Sequence, residues 1–441
     1  MEAQDIPKLY HSPNRMENPN DRMTIHSGSF ILRKAKDHTS EFTVNGTIEL
    51  KWSPGVNIVL NGEVRERHSM EFFKWCLENN DFEILVNGSY IGSCFITNKG
   101  NERDINGEGI VDIRGVFNSK VVLGASTKKV NEIRFVLPNI KKFPGDPVRH
   151  GTRFLSNRIH LVYDSMDITI DLSPDYKDLF AKLKDEGGYI FLASGKLTTS
   201  VPIDIEESRD ILYCLSRFLT FLNGRRTSPF LRQGYKDGKI LWTDFSNYHV
   251  DIHKNSPSVA PIGDFIDFGV LWRAFRKLWV EDHEQIRTSV HWFVEANNDA
   301  IFIEGSIILS QTNLELLFNW LIVERKNIKV TTGGAANKIR VLLSHIDLSP
   351  DIPEKCVHLL EFLKGNDNFQ NMDGPEIITS IRNAIVHAKK VKRDRWGTLG
   401  TMARHEALQL SLWYIERVLL YVMDYKGNYY NRISKEVETI D

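Results

Sequence analysis

From about residue 25 to 205, apolar and polar positions alternate with a period of two, in runs such as FTVNGTIEL, VNIVLNG, FEILVNGSYIGSCFI, IRFVLPN, RIHLVYDSMDITIDL and YIFLASGKL. That period sends successive side chains to opposite faces of an extended chain and predicts strands. Asn45-Gly46, Asn61-Gly62 and Asn87-Gly88 supply residues that accept positive φ, as two-residue hairpin turns require, although the first two pairs fit the end of a strand equally well. An antiparallel β sandwich or barrel is the expected arrangement.

At Ile205 the period changes. Ile211, Leu212, Leu215, Phe218, Leu219 and Leu222 fall on one helical face, and Gly224 supplies a stop. Residues 225–262 are mixed and loop-rich. After Gly263 nearly every segment reads as helix, from VLWRAFRKLWVEDHEQIRTSVHWFVEA through PEIITSIRNAIVHAKK to ARHEALQLSLWYIERVLLYVMDYKG, with Gly333-Gly334, Ser349-Pro350 and Gly374-Pro375 as punctuation. The expected fold class is α+β, an N-terminal antiparallel β sandwich or barrel-like domain followed by a C-terminal all-helical domain. Its expected divisions are a β-rich region with a closing helix over 1–224, a connecting mixed subdomain over 225–296 and the helical domain over 297–441.

Composition narrows the classes. At 441 residues the chain exceeds the size of one core, and 41% hydrophobic with 26% charged residues is ordinary for a folded globular protein. Lys and Arg (56) balance Asp and Glu (57), so any nucleic-acid site must be a local patch. Cys76, Cys94, Cys214 and Cys356 lie far apart in apolar surroundings, the pattern of reduced, buried thiols in a cytoplasmic protein. No signal-like start or uninterrupted apolar run of about 18 residues is seen, so no membrane span is expected.

The chemistry concentrates in the segment from Pro375 to Lys390. Turning about 100° per residue, Ile377, Ile378, Ile381, Ala384, Ile385 and Ala388 form one core-facing stripe, and Arg382, Asn383, Val386 and His387 face away. Asn383 and His387 are four apart and therefore neighbours, an arrangement that would orient the imidazole. Arg382 and His387, five apart, sit about 140° from one another, so a second copy packed about a two-fold axis is the simple way to bring both types into one cleft. Such a cleft suits phosphodiester cleavage in RNA: histidine moves a proton to or from the 2′-hydroxyl or leaving oxygen, and arginine stabilises charge on the phosphate. Lys389, Lys390, Lys392, Arg393 and Arg395 follow at once, beside Trp396, and would hold RNA phosphates or form an exposed charged loop.

Arg382-Asn383-Ala384-Ile385-Val386-His387 resembles the R-x(4 to 6)-H motif of HEPN ribonucleases, set late in a helical region as in that family. The β-rich N-terminal region joined to such a domain resembles ApeA-type antiphage proteins. The resemblance implies a metal-independent, cofactor-free endoribonuclease of abortive infection. It would act as a homodimer in the cytoplasm and cut RNA, tRNA being one candidate, to 2′,3′-cyclic phosphate ends, with Arg382, His387 and Asn383 catalytic. It also implies an N-terminal domain that restrains the activity or senses a phage-derived trigger. The alternative is a HEPN domain that only dimerises or binds nucleotides in a sensor or scaffold.

Other candidates are weaker. His249, Asp251 and His253 in YHVDIH lack a second ligand pair for a metal, and Gly195-Lys196 lacks the spacing and the Ser or Thr of a phosphate-binding loop. Ser126-x-x-Lys129 has no supporting motif. Trp272, Phe275 and Trp279 recur at helical spacing and read as core, and Glu315 reads as a surface carboxylate.

Overall fold

The computed structural model describes residues 6–441 except 36, 66–68, 79, 104–108, 247–248, 261–265, 299–301, 330–332, 367–368, 370, 388–389 and 391–395. It is an α+β protein in which the predicted β region forms two separate sheets.

The first is a closed barrel of six antiparallel strands, β1 (Met23–Lys34), β2 (Asp37–Lys51), β3 (Asn57–Arg65), β4 (Asp81–Val86), β5 (Ser89–Arg103) and β6 (Gly109–Phe117), in the order β1-β2-β3-β6-β5-β4. The period-two pattern explains it: Val111 and Ile113 of β6 point in, and Asp112 and Arg114 point out. A helix absent from the sequence expectation, α1 (Ser69–Glu78), plugs one end, with Trp75 against Phe42 (4.9 Å) and Phe82 (4.6 Å). Asn87-Gly88 is a hairpin turn, φ 50° and 74°, between β4 and β5. Asn45-Gly46 and Asn61-Gly62 instead lie inside β2 and β3, where Gly46 faces Gly62 across the ladder and a Cβ at Gly46 would strike the Asn61 carbonyl.

The second sheet has eight strands: β7 (Val122–Gly124), β8 (Val130–Pro138), β9 (Asp146–His150), β10 (Arg153–Tyr163), β11 (Met166–Leu172), β12 (Phe191–Ile203), β13 (Phe230–Lys236) and β14 (Lys239–Asp244), in the order β7-β14-β13-β8-β12-β11-β10-β9. Helix α2 (Tyr176–Glu186) precedes β12, and α3 (Ile205–Asn223) follows it. The predicted α3 starts at a capping box, Asp204 with Glu207, and ends at left-handed Gly224, φ 70°. Residues 225–296, expected to form a connecting subdomain, divide: β13 and β14 complete this sheet, and the later residues join the helices.

The helical region comprises α4 (Phe268–Glu281), α5 (His283–Ala296), α6 (Ile303–Phe318) with a π-helical continuation over Asn319–Arg325, α7 (Ala335–His345), α8 (Val357–Lys364), α9 (Gly374–His387) and α10 (Thr401–Val422). A hairpin that the pattern did not announce, β15 (Gly427–Asn431) with β16 (Glu436–Ile440), follows α10. Trp272, Phe275 and Trp279 are buried, and Trp272 meets Phe218 of α3 edge-on at 5.4 Å, so they do join α4 to the sheet domain. The stretch Ile303–Arg325 is long and apolar enough to cross a bilayer, but 61% of its most apolar window is buried inside the fold. All four cysteines are buried and free, with their thiols pushed up by burial.

The sheet domain and the helices share a buried polar junction. Arg432, just after β15, donates Nε to Glu416 Oε2 of α10 at 2.9 Å and Nη1 to Asn297 and Gln409, both at 3.0 Å. Asn297 passes the connection on by donating to the carbonyls of Gly224 (2.7 Å) and Pro257 (2.9 Å). Lys141 lies beside this network and donates to Ser256 O and Ser258 Oγ. Burial, and then the charges of Arg225 and Arg432, push its ammonium down to about 7.

Candidate functional site on helix α9

Helix α9 is fixed at both its start and its inner face. Asp373 Oδ1 accepts from Glu376 N at 2.9 Å, capping the first turn, and Arg340 of α7 ties Asp373 (3.0 Å) to Glu376 (2.8 Å). Gly374 gives its N–H to Pro350 O at 2.8 Å, and a Cβ there would run into Tyr414 Oη of α10. Ile377, Ile378, Ile381 and Ala384 are buried where α9 packs on α6, α7 and α10, as the stripe predicts. Only the outer face is left for chemistry.

On that face Arg382 and Asn383 are half-buried and Val386 is exposed. Arg382 Nη1 donates to Asn383 Oδ1 at 3.2 Å, so the Asn383 carbonyl engages the arginine. Among the described residues no carboxylate pairs with Arg382, and its Nε has no acceptor. His387 is the last helical residue of α9, and its side chain lies outside the described residues. Of the basic run, Lys390 is helical and exposed, and Lys389, Lys392, Arg393 and Arg395 lie outside the described residues.

Trp396, next to the basic run, is a core residue. It is 8% exposed and packs on Phe362 (5.9 Å) and Phe369 (4.6 Å), because three aromatic faces bury more area together than one offered to solvent. It also walls a cavity of about 290 Å³ with Ile381 and Ile385, beside an ion pair that sequence reasoning missed, Arg404 to Glu304 at 2.7 Å. Glu315 faces away toward α7, pairing with Lys338 at 3.7 Å and accepting from Gln311. The capping was legible in principle, since Asp373 and Glu376 have capping-box spacing around Gly374-Pro375.

The remaining motif candidates have structural duties. Asp251 accepts from Arg226 N at 2.8 Å and pairs with its guanidinium at 3.0 Å, while His253 meets Phe180 edge-on at 5.3 Å and burial drives its pKa down to about 4. Gly195-Lys196 lies inside β12, where Gly195 makes room for the Phe135 ring.

Comparison with known proteins gives matches to two domains of one family. Residues 125–256 match the YopA central domain, and residues 280–440 match the YopA C-terminal domain. The chain is 26% identical over 436 residues, 94% of its own length and 92% of the relative's, to the SPbeta prophage-derived uncharacterized protein YopA of Bacillus subtilis (strain 168). No solved structure matches. Through its sheet domain and its helical domain alike, including helix α9, this chain is similar to YopA proteins.

Proposed function

We propose that the helical region is a HEPN-type, metal-independent endoribonuclease that acts on cytoplasmic RNA as a homodimer. The observation that carries the reading is Arg382: a half-buried guanidinium with no carboxylate partner among the described residues, on the outer face of a helix whose inner face is locked in the core. An arginine kept without a counter-ion is a group suited to binding a phosphate.

In this reading the RNA 2′-oxygen attacks phosphorus, the 5′-oxygen leaves, and the products carry a 2′,3′-cyclic phosphate and a 5′-hydroxyl. His387 moves the proton, Arg382 offsets the charge on the phosphoryl oxygens, and Asn383 holds the guanidinium in place. A two-fold contact between α9 helices would supply both residue types to one cleft, with Lys390 and the rest of the basic run contacting the flanking phosphates. The β domains would restrain the activity or sense a phage-derived trigger. The relative's prophage origin is in keeping with a role in competition between phages.

The test is to express wild type, Arg382→Ala and His387→Ala in bacteria, with and without phage infection, and to read RNA fragments and their ends. Cyclic-phosphate fragments from wild type alone support the proposal. Fragments with 3′-hydroxyl ends, or dependence on a divalent ion, refute it. Identical behaviour of three folded, dimeric proteins would leave α9 a dimerisation element.

A further inference from the structure

A hollow lies on the polar face of the eight-stranded sheet. Alternation sends Ile159 and Leu161 of β10, Ile168 and Ile170 of β11 and Leu197 of β12 into the core, and so turns Arg158, His160, Asp167, Thr169 and Lys196 to the other side. With Asp146 of β9 at its far edge, they line a cavity of about 480 Å³.

Most charges in the hollow are matched within the sheet. Arg158 donates Nε and Nη2 to Asp171 at 2.7 and 2.6 Å, and Asp171 also accepts from Tyr10 N at 2.6 Å. His160 Nε2 meets Asp167 Oδ2 at 2.9 Å. Two groups of opposite sign are left over: among the described residues neither the half-buried Lys196 ammonium nor the exposed Asp146 carboxylate has a hydrogen-bond or ion-pair partner. Arg134, opposite Lys196 on β8, is paired with Glu132 and lies 3.9 Å from the centre of the Tyr235 ring. In the order β12-β11-β10-β9, Lys196 and Asp146 stand three strand spacings apart, about 14 Å across the sheet.

We infer that this hollow binds a small zwitterion of about tripeptide length, its carboxylate on Lys196 and its ammonium on Asp146. A half-buried ammonium has lost part of its water and gains from an oxyanion, and Thr169, opposite Lys196 on β11, places a hydroxyl donor beside it. A plain anion of that length would reach Asp146, and a plain cation would reach Lys196, so only a ligand carrying both signs satisfies both ends. An extended peptide rises about 3.4 Å per residue, which puts the termini of a tripeptide about 10 Å apart, a span that the two side chains close by leaning in from their strands. The site lies inside the YopA central domain match and is independent of the ribonuclease reading.

The experiment titrates the full chain calorimetrically with trialanine in three forms: free, amidated at its C-terminus and acetylated at its N-terminus. Free trialanine is expected to bind saturably, the amide about tenfold or more weakly and the acetylated form several-fold more weakly, since Asp146 is the more exposed end. In Lys196→Met the free and amidated forms should bind alike, and in Asp146→Asn the free and acetylated forms should. Asp146→Asn, at an exposed edge-strand position, serves if Lys196→Met fails to fold. Equal affinity of wild type for the three forms, binding of none at millimolar concentration, or end preferences unchanged in a folded variant would overturn the inference.

Discussion

Glu416→Ala should be the most damaging single change among the charged residues of the helical region. Glu416 sits in the middle of α10 with its side chain fully buried, and Arg432, at 1% exposure, is its ion-pair partner. Taking either charge out of water is costly, and the pair is tolerated because the two groups are matched in a two-point contact. Removing the carboxylate strands a buried guanidinium beside two more cations, Lys141 and Arg225, whose charges act on the same cluster. Loss of one partner of a buried pair costs about 3–5 kcal/mol, a large part of the stability of an ordinary domain. The damage should spread to the junction, because Arg432 also orders Asn297, which ties Gly224 and Pro257 to the helices. Urea unfolding measures the loss, with Glu63→Ala as control: Arg65 and Glu63 form a pair that is 59% and 39% exposed, where the expected change is about 0–1 kcal/mol. Glu416→Met with Arg432→Met should recover much of the loss, since a well-packed apolar pair needs no charge compensation. If Glu416→Ala costs no more than Glu63→Ala, the junction is not held in the way described.

Three further outcomes follow from the geometry. Stability should rise between about pH 7 and 10.5, because the unfolded chain still binds a proton at Lys141 that the folded chain has released, and Lys141→Met should flatten that slope in pH-dependent urea melts. His253, driven down to about 4 from 6.5, has the same sign at lower pH, so stability should fall as pH drops through that window, and His253→Phe should reduce the fall. Gly374→Ala should cost about 1–3 kcal/mol by forcing a methyl group against Tyr414 Oη, and Tyr414→Phe in the same chain should restore part of it; equal melting of Gly374→Ala and wild type would contradict the close approach.

Local rules account for what was legible. Helix α3 was readable because its signals are all within its own segment: an apolar stripe, Asp204 and Glu207 at one end and Gly224 at the other. The inner stripe of α9 was readable for the same reason. The Asn-Gly pairs show the limit. Asn87-Gly88 makes the hairpin that its residue types favour, whereas the same dipeptide at Asn45 and Asn61 is used so that two backbones can approach across a ladder. Glu416 and Arg417 are visible in an apolar helix, but nothing local says that the first meets Arg432 in the core. Trp396 shows the same limit, since an aromatic next to basic residues has the same local signature whether it faces solvent or, as here, Phe362 and Phe369.

The sequence by itself determined the α+β class, the switch near Ile205 from period two to helical period, and the apolar stripe of α9 with Arg382 and Asn383 turned away from it, because each depends on residues a few positions apart. The tertiary structure decided that the β region is a closed barrel and a separate sheet. It also decided that a buried charge cluster joins the sheet to the helices, and that Arg382 has no carboxylate partner among the described residues. Those features depend on which distant segments meet, and the free energy that chooses them comes from burying apolar surface and satisfying polar groups across the whole chain, which no local pattern records.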